Sequence, residues 1–490
     1  MAPNPALARW LHRRAVVPLV VLLLALATMV VVAPASPAAA AAGGWPAYLF
    51  GPLHGSDNAA ATTITPSNAS TLGVDWTWSP PPPTQAGQPP NALYASPTVG
   101  GGRVYIGADT GVFYALHEGT GTVAWHRFLG FDSARSCPYA RGVISTAALG
   151  TDPATGTRAV YVGGGDGYLY ALRASDGKII WRAHVVQTGT TTQNAGYLWS
   201  SPLVIGGRVY MGVSSDCDVP LIRGGLKVFS QRTGRFLHTY WAVPRGTVGG
   251  SVWTSPASDG RSVWITTGNA DPAASQPGDS FSMVRLAPST LSRLQKWTVP
   301  NLAGTDLDWG SSPTLFSARV GGMATPMVGA CNKNGVFYAF RANHLYAGPL
   351  WSRQIGTAPG LHRGMCLGAA VWDQADHRLI VGSNLTTISG TSSPGAVRAL
   401  APATGHVVWE TGTPAGPIQG SPSSDGGGVV AAATFDLQTN QNVLYLLNGS
   451  SGDVVGTKTI GSPEFAQPVF ADDHLFVATV DAGLTAFMAP

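Results

Sequence analysis

The chain has 490 residues, of which 62 are Gly and 37 are Pro, so about a fifth of its positions interrupt helices or supply turns, and a helical protein is excluded. Charged residues are 11% and hydrophobic residues 44%, which excludes a disordered tail and a coiled coil and leaves apolar material for a large core. Most of the net charge of +4 comes from Arg9, Arg13 and Arg14; without them 26 basic residues face 25 acidic ones, so composition offers no surface for nucleic acid.

Residues 1–42 read as an export signal. The three arginines form a basic start, Ala15 to Ala33 is almost wholly apolar, and a Pro and Ala run ends at Ala40-Ala41-Ala42. Cleavage there predicts a secreted or otherwise extracytoplasmic protein, and the Ala- and Pro-rich composition suits a bacterium. A retained membrane anchor is the alternative, and the chain meets a membrane only in that case. The sequons at Asn68, Asn384 and Asn448 matter only in a glycosylating host.

Next comes Leu72 to Trp78, LGVDWTW, with the aromatic pattern of an outer strand, then the Pro-rich stretch Ser79 to Pro90. From there the chain repeats. Ala115 to Trp125, Ala171 to Trp181 and Ala399 to Trp409 each place Trp four positions after a turn Gly, and weaker copies end at Trp297 and Trp351. A second marker, Ser-Pro before an apolar run, recurs at Ser96, Ser201, Ser255, Ser312 and Ser421, at one or two multiples of roughly 53 residues, a period of four-stranded blades. Strands such as Gly102 to Gly107 and Gly111 to Leu116 alternate in polarity, with Gly and Asp turns between them.

Seven complete units run to about Ile460. Phe465 to Met488 then supplies three strands of an eighth, and Leu72 to Trp78 is available as its missing fourth. The expected fold is all-β: an eight-bladed β-propeller of four-stranded antiparallel blades, its ring closed by an N-terminal strand, forming one domain over 43–490 behind the signal at 1–42. Trp125, Trp181, Trp351 and Trp409 are expected to be structural, each packing its ring between sheets and donating its N–H to a neighbouring carbonyl.

The repeat ending AL-x-x-x-x-G-x-x-x-W, the eight blades and the closing strand resemble the pyrroloquinoline-quinone (PQQ) dehydrogenase propellers. The resemblance covers nearly all of the mature chain. Non-enzymatic scaffold propellers share the repeat, so chemistry has to be sought where the repeat is broken.

Five such places stand out. Gly249 to Pro256 and Val263 to Asn269 are similar to the family segment in which a Trp floors the quinone and an Asn binds the metal. The resemblance therefore implies Trp253 beneath the cofactor and Asn269 as a metal ligand; a flat apolar face and an amide oxygen suit those tasks. Gly304 to Pro313 carries Asp306 and Asp308, which in an extended segment would point to one side. By resemblance Asp306 is the base that takes the alcohol proton and Asp308 an extra ligand of the lanthanide-using subgroup, with the two roles exchangeable. Asn332-Lys333 looks like the family hairpin whose ammonium stabilises the charge gained by the quinone oxygens.

Arg141 follows Cys137-Pro-Tyr-Ala and resembles the Arg that binds a PQQ carboxylate. The family's adjacent pair of cysteines is a single Cys here. Where the family carries a metal-binding Glu this chain has Val219, and Asp218 or Asp216 is the available substitute.

The four cysteines form no zinc or haem pattern. Their regular placement, in an exported protein, suggests bridges Cys137–Cys217 and Cys331–Cys366 between adjacent blades, with unpaired thiols as the alternative. No histidine pairing for zinc, Gly-x-Ser-x-Gly elbow or nucleotide loop is found.

The resulting expectation is an exported oxidoreductase that oxidises an alcohol group on a small or polymeric substrate with PQQ and calcium or a lanthanide. It passes electrons to a separate acceptor such as a cytochrome. The Asp-Leu-Asp-Trp-Gly-Ser-Ser-Pro stretch is especially similar to polyvinyl-alcohol dehydrogenases. The rival expectation is a propeller that binds protein or polymer and performs no redox chemistry.

Overall fold

The computed structural model describes residues 43–133, 141–189, 194–302, 306–357, 366–439 and 441–490. The expected signal segment and Cys137 lie outside them. Eight four-stranded antiparallel sheets follow one another along the chain. Blade 1 consists of Thr98–Val99, Arg103–Gly107, Val112–His117 and Val123–Phe128. Blade 2 is Ala148–Thr151, Arg158–Gly163, Tyr168–Arg173 and Ile179–His184, and blade 3 is Leu203–Ile205, Arg208–Ser215, Gly225–Ser230 and Phe236–Trp241. Blade 4 is Ala257–Ser258, Val263–Thr266, Ser282–Leu286 and Arg293–Thr298; blade 5 is Thr314–Val320, Met323–Cys331, Val336–Arg341 and Trp351–Gln354. Blade 6 is Val371–Asp373, Arg378–Ser383, Ala396–Leu400 and Val407–Gly412; blade 7 is Ser423–Asp425, Val429–Ala433, Val443–Asn448 and Val454–Thr459. Blade 8 takes Val469–Ala471, His474–Thr479 and Gly483–Met488 from the C-terminus and Gly73–Trp78 from the N-terminus, with Gly73 opposite Met488 and Trp78 opposite Leu484. The N-terminal strand closes the ring as expected.

A four-stranded meander has two apolar faces and no helix to cover either, so each blade must bury both against its neighbours. Accordingly the buried apolar side chains fall into eight clusters, each straddling two adjacent blades, from blades 1 and 2 round to blades 8 and 1.

The two repeat markers are the devices that hold one blade to the next. Trp125, Trp181, Trp351 and Trp409 each donate the indole N–H to a carbonyl in the next blade at 2.9 Å. Trp76 of the closing strand does the same to Glu118 of blade 1 at 2.8 Å, so the N-terminal strand also performs the outer strand's bridging task. Each ring lies on the turn Gly of the next blade. At Gly121, Gly177, Gly234, Gly405 and Gly452 φ is +66° to +80°, and a Cβ would fall 2.3–2.6 Å from the ring. Only Gly meets both demands. The Ser-Pro marker works at the axis instead: the backbone N–H of Ser96 donates to Thr146, Thr146 to Ser201, Ser201 to Ser255 and Ser255 to Ser312. Ala369 donates to Ser421, and Gln467 to Ser96.

The first strands run from one rim of the ring to the other, and residues 43–58 seal the far rim. Their carbonyls accept N–H groups at the far ends of first strands in six blades: Asp472, Leu149, Ser258, Leu315, Trp372 and Ser424, while Trp45 pairs with Val99 in a seventh. Tyr48 enters the axis, where it lines the central cavity together with Ser312 and Ser421. His54 is buried with Nδ1 2.9 Å from the Pro313 carbonyl, and burial pulls its pKa down to about 4. This plug follows no repeat; the run of Trp, Pro, Tyr and Gly at 45–55 is its only trace in the sequence.

Candidate functional site

Between the plug and the near rim lies an axial cavity of about 90 Å³. Its wall is two stacked rings. One is the hydroxyl ring just described. The other is formed by the residue two positions before each member of that ring: Tyr94, Ile144, Trp199, Trp253, Gly310, Leu367, Gln419 and Phe465. Trp253 therefore shares its place in the fold with Trp199 and Tyr94. What sets it apart is its company.

The Trp253 Nε1 donates to Asp308 Oδ2 at 2.8 Å, and the Lys333 Nζ stands 5.1 Å from the Trp253 ring centre. Lys333 lies 2.6 Å from Asp306 Oδ1 and 2.7 Å from Asp308 Oδ1. The Asn269 Nδ2 donates to Asp306 Oδ1 at 3.0 Å and to Asp218 Oδ2 at 2.9 Å. Six of the seven residues expected from the sequence thus form one connected cluster on the near rim, drawn from blades 3, 4 and 5.

Local backbone geometry brings them together. Asp306 has φ +57°, so a left-handed turn, not strand alternation, aims both carboxylates at Lys333. The Lys333 hairpin is fixed to that turn by its own N–H on the Asp308 carbonyl, 3.0 Å, and by Asn332 Nδ2 on the Leu307 carbonyl, 3.0 Å. Gly268 permits the close approach: a Cβ there would lie 2.9 Å from Ser251 Cβ and 3.2 Å from Asp308 Oδ2. In blade 3, Cys217 and Asp218 are both left-handed, at φ +53° and +58°, which turns Asp218 toward Asn269 while Val219 stays exposed.

Arg141 stands beside this cluster. Its guanidinium carbon lies 5.1 Å from the Tyr94 ring centre and 5.3 Å from that of Trp199, and NH1 is 3.8 Å from Asp109. Its Nε is buried with no partner among the described residues. Tyr94, Trp199 and Asp109 were not singled out from sequence. The signal for the first two was available, since both stand two positions before a Ser-Pro marker.

Burial dominates the electrostatics. It pushes Asp308 up to about 6 even though Lys333 opposes the shift, and it raises Asp218 against the opposing hydrogen bond from Asn269. For Lys333 burial acts downward, but Asp308 and Asp306 outweigh it and hold the ammonium well above its ordinary value. Three carboxylates share one ammonium, so the cluster is short of positive charge and lined with hard oxygens. Those oxygens are of the type a calcium-like or lanthanide cation takes, but among the described residues no three such side chains are placed to hold an ion, and the ammonium fills the space between Asp306 and Asp308. The flat Trp253 face, the unpaired Arg141 Nε and the ammonium fit a planar anionic cofactor.

Cys331 and Cys366 form the expected bridge between blades 5 and 6, next to Asn332 and Lys333. Cys217 is disulfide-bonded as well, and its expected partner Cys137 lies outside the described residues. Among the described residues no helix is long and apolar enough to cross a membrane.

Residues 45–274 match the family model described as the glucose/ethanol/alcohol dehydrogenase β-propeller domain, and residues 393–489 match that of the outer membrane protein assembly factor BamB. Quinohemoprotein alcohol dehydrogenase of Comamonas testosteroni is 24% identical over 316 residues, 56% of this chain and 42% of the relative. Its crystal structure superposes with a TM-score of 0.74 at 16% identity, covering 92% of this chain and 81% of that one. Polyvinylalcohol dehydrogenase of a Pseudomonas species is 24% identical over 56% of this chain and 46% of its own length. BamB of Legionella pneumophila is 25% identical over 36% of this chain and 48% of its own length. The chain thus spans less than half the length of these curated relatives. In fold and repeat it is a PQQ-type β-propeller, of the kind found in the quinoprotein alcohol dehydrogenases.

Proposed function

We propose that the protein is an exported quinoprotein oxidoreductase, its segment 1–42 a cleaved signal, that oxidises an alcohol with PQQ and a bound metal ion. The observation that carries this reading is the buried cluster of Asp306, Asp308, Asp218, Asn269 and Lys333 at the edge of Trp253. Nothing in the blade repeat requires it, and burying the charges of Asp308 and Lys333 costs stability that fold alone does not return.

In this reading PQQ supplies a two-electron acceptor, and the chain's own groups do the rest. Trp253 offers a flat face and Arg141 its free Nε to a carboxylate. Asn269, Asp218 and Asp308 would have to close together to hold calcium or a lanthanide. Asp306 accepts the hydroxyl proton: its side chain is 34% exposed, against 2% for Asp308, and a base must be within reach of substrate. Lys333 keeps its proton and offsets negative charge that develops beside it. Asn269 stands nearer Asp306 than its expected partner Asp308, so the two roles are separated by experiment. Asp306→Asn should abolish turnover with cation affinity retained, and Asp308→Asn should weaken cation binding. The opposite pattern exchanges them.

The scaffold alternative draws on the match of residues 393–489 to BamB. Titration with PQQ and calcium or lanthanum, followed by tryptophan quenching, separates the two. Saturable binding lost in Trp253→Ala, with dye reduction by some alcohol across a broad panel, is the expected outcome. A folded wild-type protein that binds no PQQ is a scaffold. The acceptor, in this proposal, is a separate protein such as a cytochrome.

A further inference from the structure

On the far rim the plug leaves a cleft of about 700 Å³ against blades 4, 5 and 6. That volume falls within the roughly 300–1,000 Å³ of small-molecule sites. The cleft is mostly apolar: Phe50 and Leu53 come from the plug, Leu315, Phe316 and Met327 from blade 5, and Trp372 from blade 6. Within the plug Leu53 is the exception. Leu49 and His54 are buried, at 0% and 4% exposure, whereas Leu53 remains 51% exposed on the cleft wall. A lone exposed Leu is ordinary; one that shares a concave wall with five other apolar side chains is an uncovered binding surface.

Blade 4 supplies the two cations of the cleft, Arg261 and Arg285. Neither guanidinium is ion-paired among the described residues. Arg285 is held in place by its Nε, which donates to Ser262 Oγ at 2.9 Å, and its guanidinium carbon lies 5.7 Å from the Trp264 ring centre. Its two terminal nitrogens are left for another acceptor. Two acids also border the cleft, and both are engaged. Asp259 Oδ1 accepts the backbone N–H groups of Arg261 and Ser262, each at 2.8 Å, which closes the turn. Asp57, toward blade 6, is 6% exposed, accepts the Ser424 hydroxyl at 2.8 Å and is pushed by burial toward its neutral form. At the blade 4 end one acid therefore faces two cations, and a single further anion restores the balance.

We propose that this far-rim cleft binds a free monocarboxylic acid with an apolar body, its carboxylate on Arg285 and Arg261 and its hydrocarbon part along Phe316, Leu315 and Leu53. The planar terminal edge of a pre-positioned guanidinium matches a carboxylate with two parallel hydrogen bonds. The cleft lies on the opposite rim from the Lys333 cluster, so the inference is independent of the oxidoreductase reading.

The test uses the full-length protein, with decanoate below its micelle-forming concentration as the probe and decanamide as its neutral counterpart. By titration calorimetry decanoate should bind the wild type saturably at one site, and decanamide about tenfold more weakly, as expected for loss of a charge-assisted contact. Arg285→Gln should lower decanoate affinity about tenfold and leave decanamide unchanged. Arg261→Gln, at an exposed side chain, should act in the same direction and melt with the wild type, which keeps the test independent of any folding defect in Arg285→Gln. Hexanoate, four methylenes shorter, should bind roughly tenfold or more weakly than decanoate, and Leu53→Ser should narrow that difference. Crystals soaked in decanoate should place its carboxylate within hydrogen-bond distance of Arg285. Decanoate affinity unchanged in both arginine variants, decanamide binding as tightly as decanoate, or a fatty chain seated elsewhere in the crystal would overturn the proposal. So would sedimentation with phosphatidylglycerol vesicles in the absence of binding to free decanoate, which would make this rim a lipid-facing surface instead.

Discussion

The axial cavity is closed at its two ends by opposite means. On the far rim residues 43–58 use backbone carbonyls, a tyrosine and a histidine held neutral, spread over seven blades. On the near rim three carboxylates, an amide and one ammonium crowd into the loops of three adjacent blades. Both rims leave buried groups incompletely balanced: the far rim holds the Trp45 indole N–H without a partner among the described residues and keeps Asp57, Asp373 and Asp425 together with their pKa values raised by burial, whereas the near rim sets its carboxylates around an ammonium. Raised carboxylate pKa values are therefore common to both ends; what distinguishes the near rim is an ammonium held among its carboxylates beside the flat face of Trp253, a combination of charge and aromatic surface that a seal does not need.

The largest effect should come from removing the near rim's one ammonium. Lys333→Ala leaves Asp308 buried without its counter-ion, and apo-protein stability should fall by roughly 3–5 kcal/mol in urea unfolding. Adding Asp308→Asn should return part of that loss. A Lys333→Ala protein as stable as wild type would mean that the carboxylates are not ionised and that the charge argument is wrong. Somewhat smaller is the covalent tie beside the same hairpin. The Cys331–Cys366 bridge has a sequence separation of 35, which in the chain-entropy description stabilises by about 3–4 kcal/mol. Replacing both cysteines by Ser should lower the unfolding midpoint accordingly and leave the far rim's protection from hydrogen exchange unchanged.

The far rim has its own signature in pH. The His54 pKa lies near 4 in the folded protein and near 6.5 unfolded, so the folded state binds fewer protons between those values. Its contribution is complete above about 6.5 and is lost as pH falls toward 4, worth up to about 3 kcal/mol. Asp109 and Asp308, raised to about 6, act with the opposite sign: each favours the folded state as pH falls through that range. The difference between wild type and His54→Asn isolates the plug, because Asn tolerates φ +58° and can still donate to Pro313. Stability of the wild type should fall below that of the variant, relative to neutral pH, as acid is added; parallel curves would show that His54 is not held neutral.

Much of this was legible in the sequence, for a physical reason. Gly121, Gly177 and Gly405 are demanded by a positive φ and by a ring pressed on them, so the repeat records a contact between blades as well as a strand order. Trp76 declared the closing strand in the same way. The residues of the clustered carboxylates, Asn269 and Lys333 stood out in the sequence because they break that pattern, and they meet in one cluster. The manner of their meeting was not legible: the convergence of Asp306 and Asp308 depends on a left-handed turn that no periodicity encodes. Residues 43–58 were missed because a plug that hydrogen-bonds through its backbone leaves almost no side-chain signature. Tyr94 and Trp199 were missed although their spacing from Ser96 and Ser201 is that of Trp253 from Ser255.

The smallest predicted effect concerns what the two ends share. The hydroxyl ring links first strands between the rims, yet blade 6 has Ala369 at that position, so the ring already functions with a gap. Ser255→Ala removes one link, the 2.9 Å bond from the Ser201 N–H, and should cost about 1 kcal/mol. Ala369→Ser should be neutral or slightly stabilising. A Ser255→Ala protein that loses several kcal/mol would make the hydroxyl ring, and not the tryptophan-on-glycine contacts at the periphery, the principal tie between blades. The near-rim cluster would then be positioned from the axis outward. A loss of about 1 kcal/mol with unchanged PQQ affinity would leave the outer contacts setting the ring and the Asp306 and Lys333 loops setting the site, each independent of the other.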